Sequence, residues 1–185
     1  MKKIAVHLAT GFEEIEAITI IDVLRRAGFK VTMVSVTGEK LVVGSHQIPV
    51  LADKLFDEVN YDEMDMILLP GGMPGAKNLD LHEGLKAQII QFNQQQKPLG
   101  AICAAPLVLG HLQLLNGKRA VCYPGFENEL TGALVNEEPA VVDKNIITGR
   151  GVGAALTFAL KIVEMLDSKQ KADQLAKAML VENWR

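Results

Sequence analysis

Cys103 occupies a position where a thiol is able to react. It stands between an apolar stretch, Leu99–Ile102, and the segment Ala104-Ala105-Pro106, whose proline is typical of a helix start. A strand-to-helix turn places the side chain at its apex beside backbone N–H groups, which favour an anion and lower the pKa of a thiol from about 8.5. Two interpretations are open at this point: a reactive thiolate on an elbow, or a buried, inert cysteine of the kind common in apolar segments.

An acidic loop near the N-terminus offers a partner for the thiol. Residues 11–16 read Gly-Phe-Glu-Glu-Ile-Glu, and three carboxylates in the first turn of a helix repel phosphate. Glu13 and Glu14 are explained as complements of the helix dipole. Glu16 lies between two apolar residues and is predicted to be partly buried. A buried carboxyl has a raised pKa, keeps its proton and is able to donate a hydrogen bond to a nearby thiolate.

Two glycine-rich turns have alternative interpretations. Gly71, Gly72 and Gly75 form either a tight loop that needs positive φ angles, or a set of backbone N–H groups that make an oxyanion pocket beside the thiol. Residues 149–154 match the letters of a dinucleotide-binding fingerprint, but only helices are predicted after them, which excludes a nucleotide-binding βαβ unit. In that turn Arg150 is interpreted as a guanidinium that offers bidentate contacts to a carboxylate. We therefore expect no cofactor.

None of the four histidines has the spacing of a metal ligand pair, so no metal site is predicted. His7 falls on a predicted central strand and is interpreted as a core residue, whereas His82 and His111 are placed on helix surfaces. Cys122 is predicted to pack within a strand, and Tyr123 at the end of that strand to point toward the site.

The elements that position these residues alternate along the chain. The predicted strands are 4–8, 31–36, 66–69, 99–102, 120–123, 140–142 and 146–148, with a short hairpin of 41–43 and 48–50. The predicted helices are 13–27, 81–95, 105–111, 154–166 and 170–179. This alternation indicates an α/β sandwich with a mostly parallel sheet, in which ligands bind at the carboxyl ends of the strands.

Composition limits the function classes. The chain has 185 residues, which predicts a single domain over 1–185, and 19 scattered basic residues with a net charge of −3 do not favour nucleic acid binding. Two cysteines make no disulfide framework and favour a reducing compartment. The N-terminus runs straight into a strand pattern, and no apolar stretch is long enough to span a membrane, so we expect a cytoplasmic protein without membrane association.

Four motifs occur together in order: Gly-Phe-Glu-Glu-Ile-Glu, Leu-Pro-Gly-Gly followed by Gly75-Ala76, Ala-Ile-Cys-Ala-Ala-Pro, and Arg-Gly-x-Gly. In this combination the chain resembles the ThiJ/PfpI superfamily from about Lys3 to Val181, and most closely its DJ-one branch, named for a Parkinson's-associated human protein. The resemblance implies a flavodoxin-like three-layer sandwich with a cysteine nucleophile elbow, in a single domain that usually forms a homodimer.

The resemblance also implies roles for single residues. Cys103 would be the reactive, oxidation-prone cysteine, with Glu16 as the protonated partner of its sulfur. Gly72 and Ala104 would supply backbone N–H groups as an oxyanion site. Gly71, in the glycine turn, and Arg150 would give structural support.

Members of the superfamily are described as cofactor-independent glyoxalases that turn methylglyoxal into lactate and as deglycases of glycated groups. They are also described as oxidative-stress sensors or redox-regulated chaperones. Small reactive carbonyl compounds or their adducts are therefore the expected partners, with sensing through Cys103 oxidation as the alternative.

The sequence departs from the superfamily pattern at three positions. Glyoxalase-active members often carry a histidine where this chain has Tyr123, and a phenol, with an ordinary pKa of about 10, is the poorer base. Tyr123 is accordingly assigned to proton transfer or substrate contact. Peptidase members carry a histidine at the position of Ala104, which argues against a cysteine peptidase. His46 stands where an arginine sometimes occurs.

Overall fold

The computed structural model describes residues 1–184. Its strands are β1 Lys3–Leu8, β2 Lys30–Ser35, β3 Leu41–Val43, β4 Pro49–Leu51, β5 Lys54–Leu55, β6 Met66–Leu69, β7 Leu99–Ile102, β8 Arg119–Ala120, β9 Leu134–Val135, β10 Ala140–Asp143 and β11 Ile146–Gly149. Its α-helices are α1 Glu14–Arg26, α2 Gly75–Asp80, α3 Glu83–Gln94, α4 Pro106–His111, α5 Ala155–Leu166 and α6 Lys169–Ala178.

The central sheet has seven strands in the order β10-β11-β7-β6-β1-β2-β5. All neighbours run parallel except β10 and β11, which form an antiparallel pair at one edge. The predicted hairpin of β3 and β4 forms a separate antiparallel pair. The predicted α/β class with a mostly parallel sheet is therefore confirmed.

Helices cover both faces of the sheet and enclose one apolar core on each side. Phe12 and Phe158 lie in the core beneath α1, α5 and α6, and Phe92 lies in the core beneath α2, α3 and α4. Every residue of β6 and β7 is buried, as expected for parallel strands covered on both faces. The three-layer arrangement follows from these continuous apolar strands.

The topology brings four loops together at one edge of the sheet. Strands β1, β6, β7 and β11 are adjacent and parallel, so their carboxyl ends at Leu8, Leu69, Ile102 and Gly149 lie side by side. Each of the loops that follow begins at this edge. The acidic loop, the Gly71–Gly72 turn, the Cys103 elbow and the Arg150 turn therefore meet, as the sheet rule predicts.

Two predicted elements differ from the structure. The strand predicted over 120–123 is reduced to Arg119–Ala120, because the Val121 N–H donates to Thr148 Oγ1 at 2.9 Å and the Tyr123 N–H donates to the Cys103 carbonyl at 2.8 Å. Those donors are therefore not available to a strand ladder, and Cys122 is buried outside any strand.

The helix predicted from residue 81 begins at Glu83, because the His82 ring accepts a hydrogen bond from the Leu85 N–H and caps it. The short helix α2 before it was not predicted. Within residues 1–184, no helix combines the length and the apolar character needed to cross a bilayer.

Candidate active site

Cys103 sits on a strained elbow between β7 and α4. Its φ angle is +65°, in the left-handed region that non-glycine residues rarely adopt, at a cost of about 1–3 kcal/mol. The backbone is held there from both sides, since the Cys103 N–H donates to the Gly149 carbonyl at 2.9 Å and its carbonyl accepts from the Tyr123 N–H at 2.8 Å. The predicted nucleophile elbow is thus present in the backbone, and its strain marks a candidate functional residue.

Glu16 reaches the elbow from the first turn of α1 and is completely buried. One carboxyl oxygen, Oε2, accepts a hydrogen bond from the Gly71 N–H at 2.8 Å. Gly71 fits here only because it has no side chain: a Cβ atom would lie 2.5 Å from Cys103 Cβ and 2.8 Å from Glu16 Oε2. The glycine turn therefore lets the carboxyl and the cysteine approach each other, which agrees with a structural role for Gly71.

Burial raises the pKa of the Glu16 carboxyl to about 7. The hydrogen bonds from the Gly71 N–H and the Cys103 thiol act in the opposite direction, and the nearby Glu13 adds to the rise. Its other oxygen, Oε1, is buried without a hydrogen-bond partner of ordinary geometry. The carboxyl therefore exchanges its proton near neutral pH, where a general acid or base works best.

The thiol of Cys103 is subject to opposing effects. Burial, followed by the charge and hydrogen bond of Glu16, raises its pKa to about 12, while the backbone N–H groups of Gly72 and Ala104 lower it. The sequence predicted a lowered pKa from the helix dipole, but α4 has only six residues and begins with Pro106. The two neighbouring N–H groups act in place of that dipole.

Above about pH 7 the carboxyl and the thiol together hold one proton. The carboxyl loses its proton near pH 7, while the thiol opposite an ionised carboxyl keeps its own to a much higher pH. Since the two groups interact directly, the remaining proton belongs to the pair rather than to either residue. The form with the proton on Glu16 presents a thiolate at the elbow.

A cavity of about 270 Å³ opens above the sulfur. It is lined by Glu13, Gly72, Met73, Cys103, Ala104, Tyr123, Phe126 and Val152. Tyr123 lies at this cavity as predicted, with 49% of its surface exposed. Met73 and Val152 lie in loops that the sequence places at the site, but neither they nor Phe126 were singled out, because single apolar loop residues carry no pattern in the sequence.

Glu13 and Glu14 of the acidic loop both contact Ser45 and His46. Glu13 accepts from Ser45 Oγ at 3.1 Å, and Glu14 accepts from the His46 N–H at 2.7 Å and pairs with the His46 ring at 2.9 Å. Although burial alone would raise the pKa of Glu14, these hydrogen bonds lower it to about 2. Glu13, Glu14 and His46 thus form a tight polar cluster. No sequence pattern indicates this cluster, because His46 is 32 residues from Glu14.

Arg150 and His7 differ in how closely their side chains are held. The Arg150 guanidinium lies 3.9 Å from the Glu137 carboxylate, which is a loose ion pair without bidentate hydrogen bonds. His7 is a core residue as expected: it is fully buried, its Nε2 lies 2.8 Å from the Tyr61 hydroxyl, and burial lowers its pKa to about 3.

The profile of the DJ-1/PfpI family matches residues 2–165 of this chain. The chain belongs to this family. It is 42% identical over 180 residues to Protein DJ-1 homolog B of Arabidopsis thaliana, covering 97% of this chain but 41% of the plant protein. It is 38% identical over 183 residues to Protein dj-1beta of Drosophila melanogaster, covering 97% of each.

Solved structures of family members superimpose closely on this chain. Oxidized DJ-1 of Toxoplasma gondii has a TM-score of 0.93 at 39% identity and covers 97% of this chain and 98% of its own. Drosophila melanogaster DJ-1beta has a TM-score of 0.92 at 36% identity and covers 98% of both chains. The DJ-1 fold and the branch that the sequence motifs indicated are both confirmed.

Proposed function

We propose that the protein converts α-oxoaldehydes such as methylglyoxal to 2-hydroxy acids without a cofactor, using Cys103 as the nucleophile. The observation that carries this proposal is the contact between a buried carboxyl with a pKa of about 7 and a cysteine on a strained elbow. A nucleophile beside a group able to accept and return protons is what this isomerisation needs. Carbonyl adducts of biological amines or thiols are the related substrates for the same site.

The first step is addition of the thiolate to the aldehyde. The sulfur forms a bond to the aldehyde carbon, and the carbonyl electron pair moves to oxygen. This oxygen then takes the proton held by Glu16 to give a hemithioacetal, which leaves Glu16 as a carboxylate. Backbone N–H groups of Gly72 and Ala104 flank the sulfur. They are placed to stabilise the developing oxyanion, a contribution of about 3–4 kcal/mol per donor in enzymes of other folds.

The second step moves a proton between neighbouring carbons. The Glu16 carboxylate removes the proton from the carbon bonded to sulfur, giving an enediolate, and returns it to the adjacent carbon. The hydroxyl proton on the first carbon passes to the oxygen of the second carbon. The product is a thioester of lactate on Cys103, and hydrolysis by one water releases lactate and restores the thiol. Tyr123, at the mouth of the cavity, is placed to contact the substrate oxygens.

Lactate production from methylglyoxal by purified protein tests this proposal. We expect lactate to accumulate in proportion to methylglyoxal consumed, with water as the only other reactant. Loss of methylglyoxal without lactate, through adducts on surface lysines and arginines, would contradict the proposal.

Oxidation of the same sulfur is a second candidate function. It is favoured by the N–H groups beside the sulfur, which also suit a charged sulfinate, and by the relative whose structure is described as oxidized. Two molecules of hydrogen peroxide would add two oxygen atoms to the thiol and leave as water. The homodimer implied by the resemblance stays a prediction.

Mild peroxide is expected to add about 32 Da to the protein, with the added mass on the peptide containing Cys103. Cys122 is the internal control, because it is only 4% exposed and does not line the cavity above the Cys103 sulfur. Intact mass and peptide mapping measure both sites. Equal oxidation of the two cysteines would show that Cys103 has no special reactivity.

A further inference from the structure

We infer that the cavity above Cys103 continues into a subsite around Arg150 that binds a carboxylate at the far end of the substrate. This inference rests on the proposed function and narrows its substrate class. The preferred substrates are then α-oxoaldehydes, or adducts of them, that carry a carboxylate on the end away from the reacting carbonyl.

A second cavity, of about 400 Å³, adjoins the one above the sulfur. The two share Tyr123 and Val152 as common walls, and Arg150 lines the second cavity. Gly151 leaves space between the two cavities because it has no side chain. A Cβ atom at Gly151 would lie 3.2 Å from the Tyr123 ring and 4.0 Å from the Cys103 sulfur, so a larger residue would press into the space between them. The two cavities therefore lie side by side, and the proposed groove runs from the sulfur past Tyr123 and Val152 to Arg150.

The Arg150 backbone is fixed at the wall of the groove, but its guanidinium has only a weak ion-pair partner. The Arg150 N–H donates to the Pro139 carbonyl at 2.9 Å, which fixes the start of the side chain at the cavity wall. The side chain is 32% exposed, and its ion pair with Glu137 spans 3.9 Å to a side chain that is 89% exposed. Exposed pairs of this kind contribute little, so a ligand carboxylate is able to replace Glu137. A planar guanidinium binds a carboxylate through two parallel hydrogen bonds.

The charges at the two ends of the groove fix the orientation of the substrate. Glu13, which is only 7% exposed, lines the cavity at the Cys103 end, where its carboxylate disfavours a second negative charge. Arg150 supplies a positive charge at the other end. A substrate with one carboxylate is therefore oriented with its carbonyl at the sulfur and its carboxylate at the guanidinium.

A pair of thiol reagents that differ by one carboxylate group tests the subsite. N-ethylmaleimide and carboxyethyl maleimide both add the Cys103 sulfur across their double bond, and the adjacent ring carbon takes a proton. In a Cys122→Ser background, the measured quantity is the rate with the charged reagent divided by the rate with the neutral reagent. We expect this rate ratio to be about tenfold higher for the protein than for a free cysteine derivative. Arg150→Gln is expected to return this rate ratio to the value for the free thiol.

Two matched variants complete the design. Arg119→Gln removes the same charge from an exposed pair with Glu138 outside both cavities, and the rate ratio should stay at the wild-type value. Glu137→Gln removes the competing carboxylate, and the ratio should rise. A wild-type ratio equal to that of the free thiol, or a ratio unaffected by Arg150→Gln, would overturn the inference.

A binding measurement separates failure of the subsite from failure of the proposed function. The unreactive carboxyethyl succinimide, added to isotope-labelled Cys103→Ser protein, should shift the backbone amide signals of Arg150 and Val152 in a saturable way. The neutral ethyl succinimide should bind about tenfold more weakly. Charge-selective binding supports the subsite even if the wild-type protein forms no lactate, because this binding needs no reaction at Cys103. Equal binding of the two succinimides refutes the subsite.

Discussion

Cys103→Ser is expected to reduce lactate formation from methylglyoxal by at least about 10³-fold, to the level of the reaction without protein. A serine hydroxyl keeps the size and position of the side chain, but it does not ionise near neutral pH in this buried setting. The expected result depends on the sulfur itself, because the strained backbone at φ +65° is held by hydrogen bonds that serine retains. Lactate measured by chiral chromatography, with thermal unfolding as a check on folding, gives the answer.

Cys122→Ser is the matched control for this experiment. Cys122 is 4% exposed and precedes Tyr123 at the site, yet it does not line the cavity above the Cys103 sulfur. Lactate formation by this variant should stay within about twofold of the wild type. Substantial turnover by Cys103→Ser would place the chemistry elsewhere and contradict the proposed mechanism.

Glu16→Gln is expected to lower turnover by about 10²–10⁴-fold, the usual contribution of a positioned general base. The amide oxygen of glutamine still accepts the Gly71 N–H, so the loop geometry is retained while the proton carrier is lost. Because the wild type needs the ionised carboxylate, its turnover should rise as the pH passes through about 7, and the variant should lack this rise. Initial rates from pH 5 to 9 measure both effects.

Thermal unfolding separates this loss of activity from a loss of stability. Burial raises the pKa of Glu16 in the folded protein above its unfolded value of 4.5, so its contribution to the free energy of unfolding is fully present below 4.5. That contribution is lost as the pH rises through about 7. The variant should therefore gain stability relative to the wild type between pH 5 and 8. A variant that is inactive because it is unfolded at every pH would contradict this account.

Much of the site could be predicted because continuous apolar strands are easy to recognise. The runs around Val6, Leu68, Ala101 and Ile147 predicted buried parallel strands, and the structure pairs them side by side. The rule that ligands bind at the carboxyl edge then selected loops that the structure brings together. The position of Glu16 between apolar neighbours correctly indicated burial, and burial is the main cause of its raised pKa.

Other features depend on contacts that a sequence pattern does not contain. The segment at Val121–Tyr123 has the composition of a strand, but its N–H groups are used by Thr148 and Cys103 instead. The proton shared by Glu16 and Cys103 depends on a close approach that Gly71 permits. The predicted lowering of the Cys103 pKa by a helix dipole was wrong for a related reason. Because α4 is short, burial and the neighbouring carboxyl determine the pKa of the thiol.

The pH dependence of Cys103 alkylation tests most directly whether Glu16 and Cys103 share one proton. With iodoacetamide and a Cys122→Ser background, the account predicts a rate that rises with a midpoint near pH 7, where the pair loses its first proton. Glu16→Gln should move this midpoint upward, since the thiol then titrates alone in a buried setting. A wild-type rate that rises only near pH 9, like that of an isolated cysteine, would contradict the central claim.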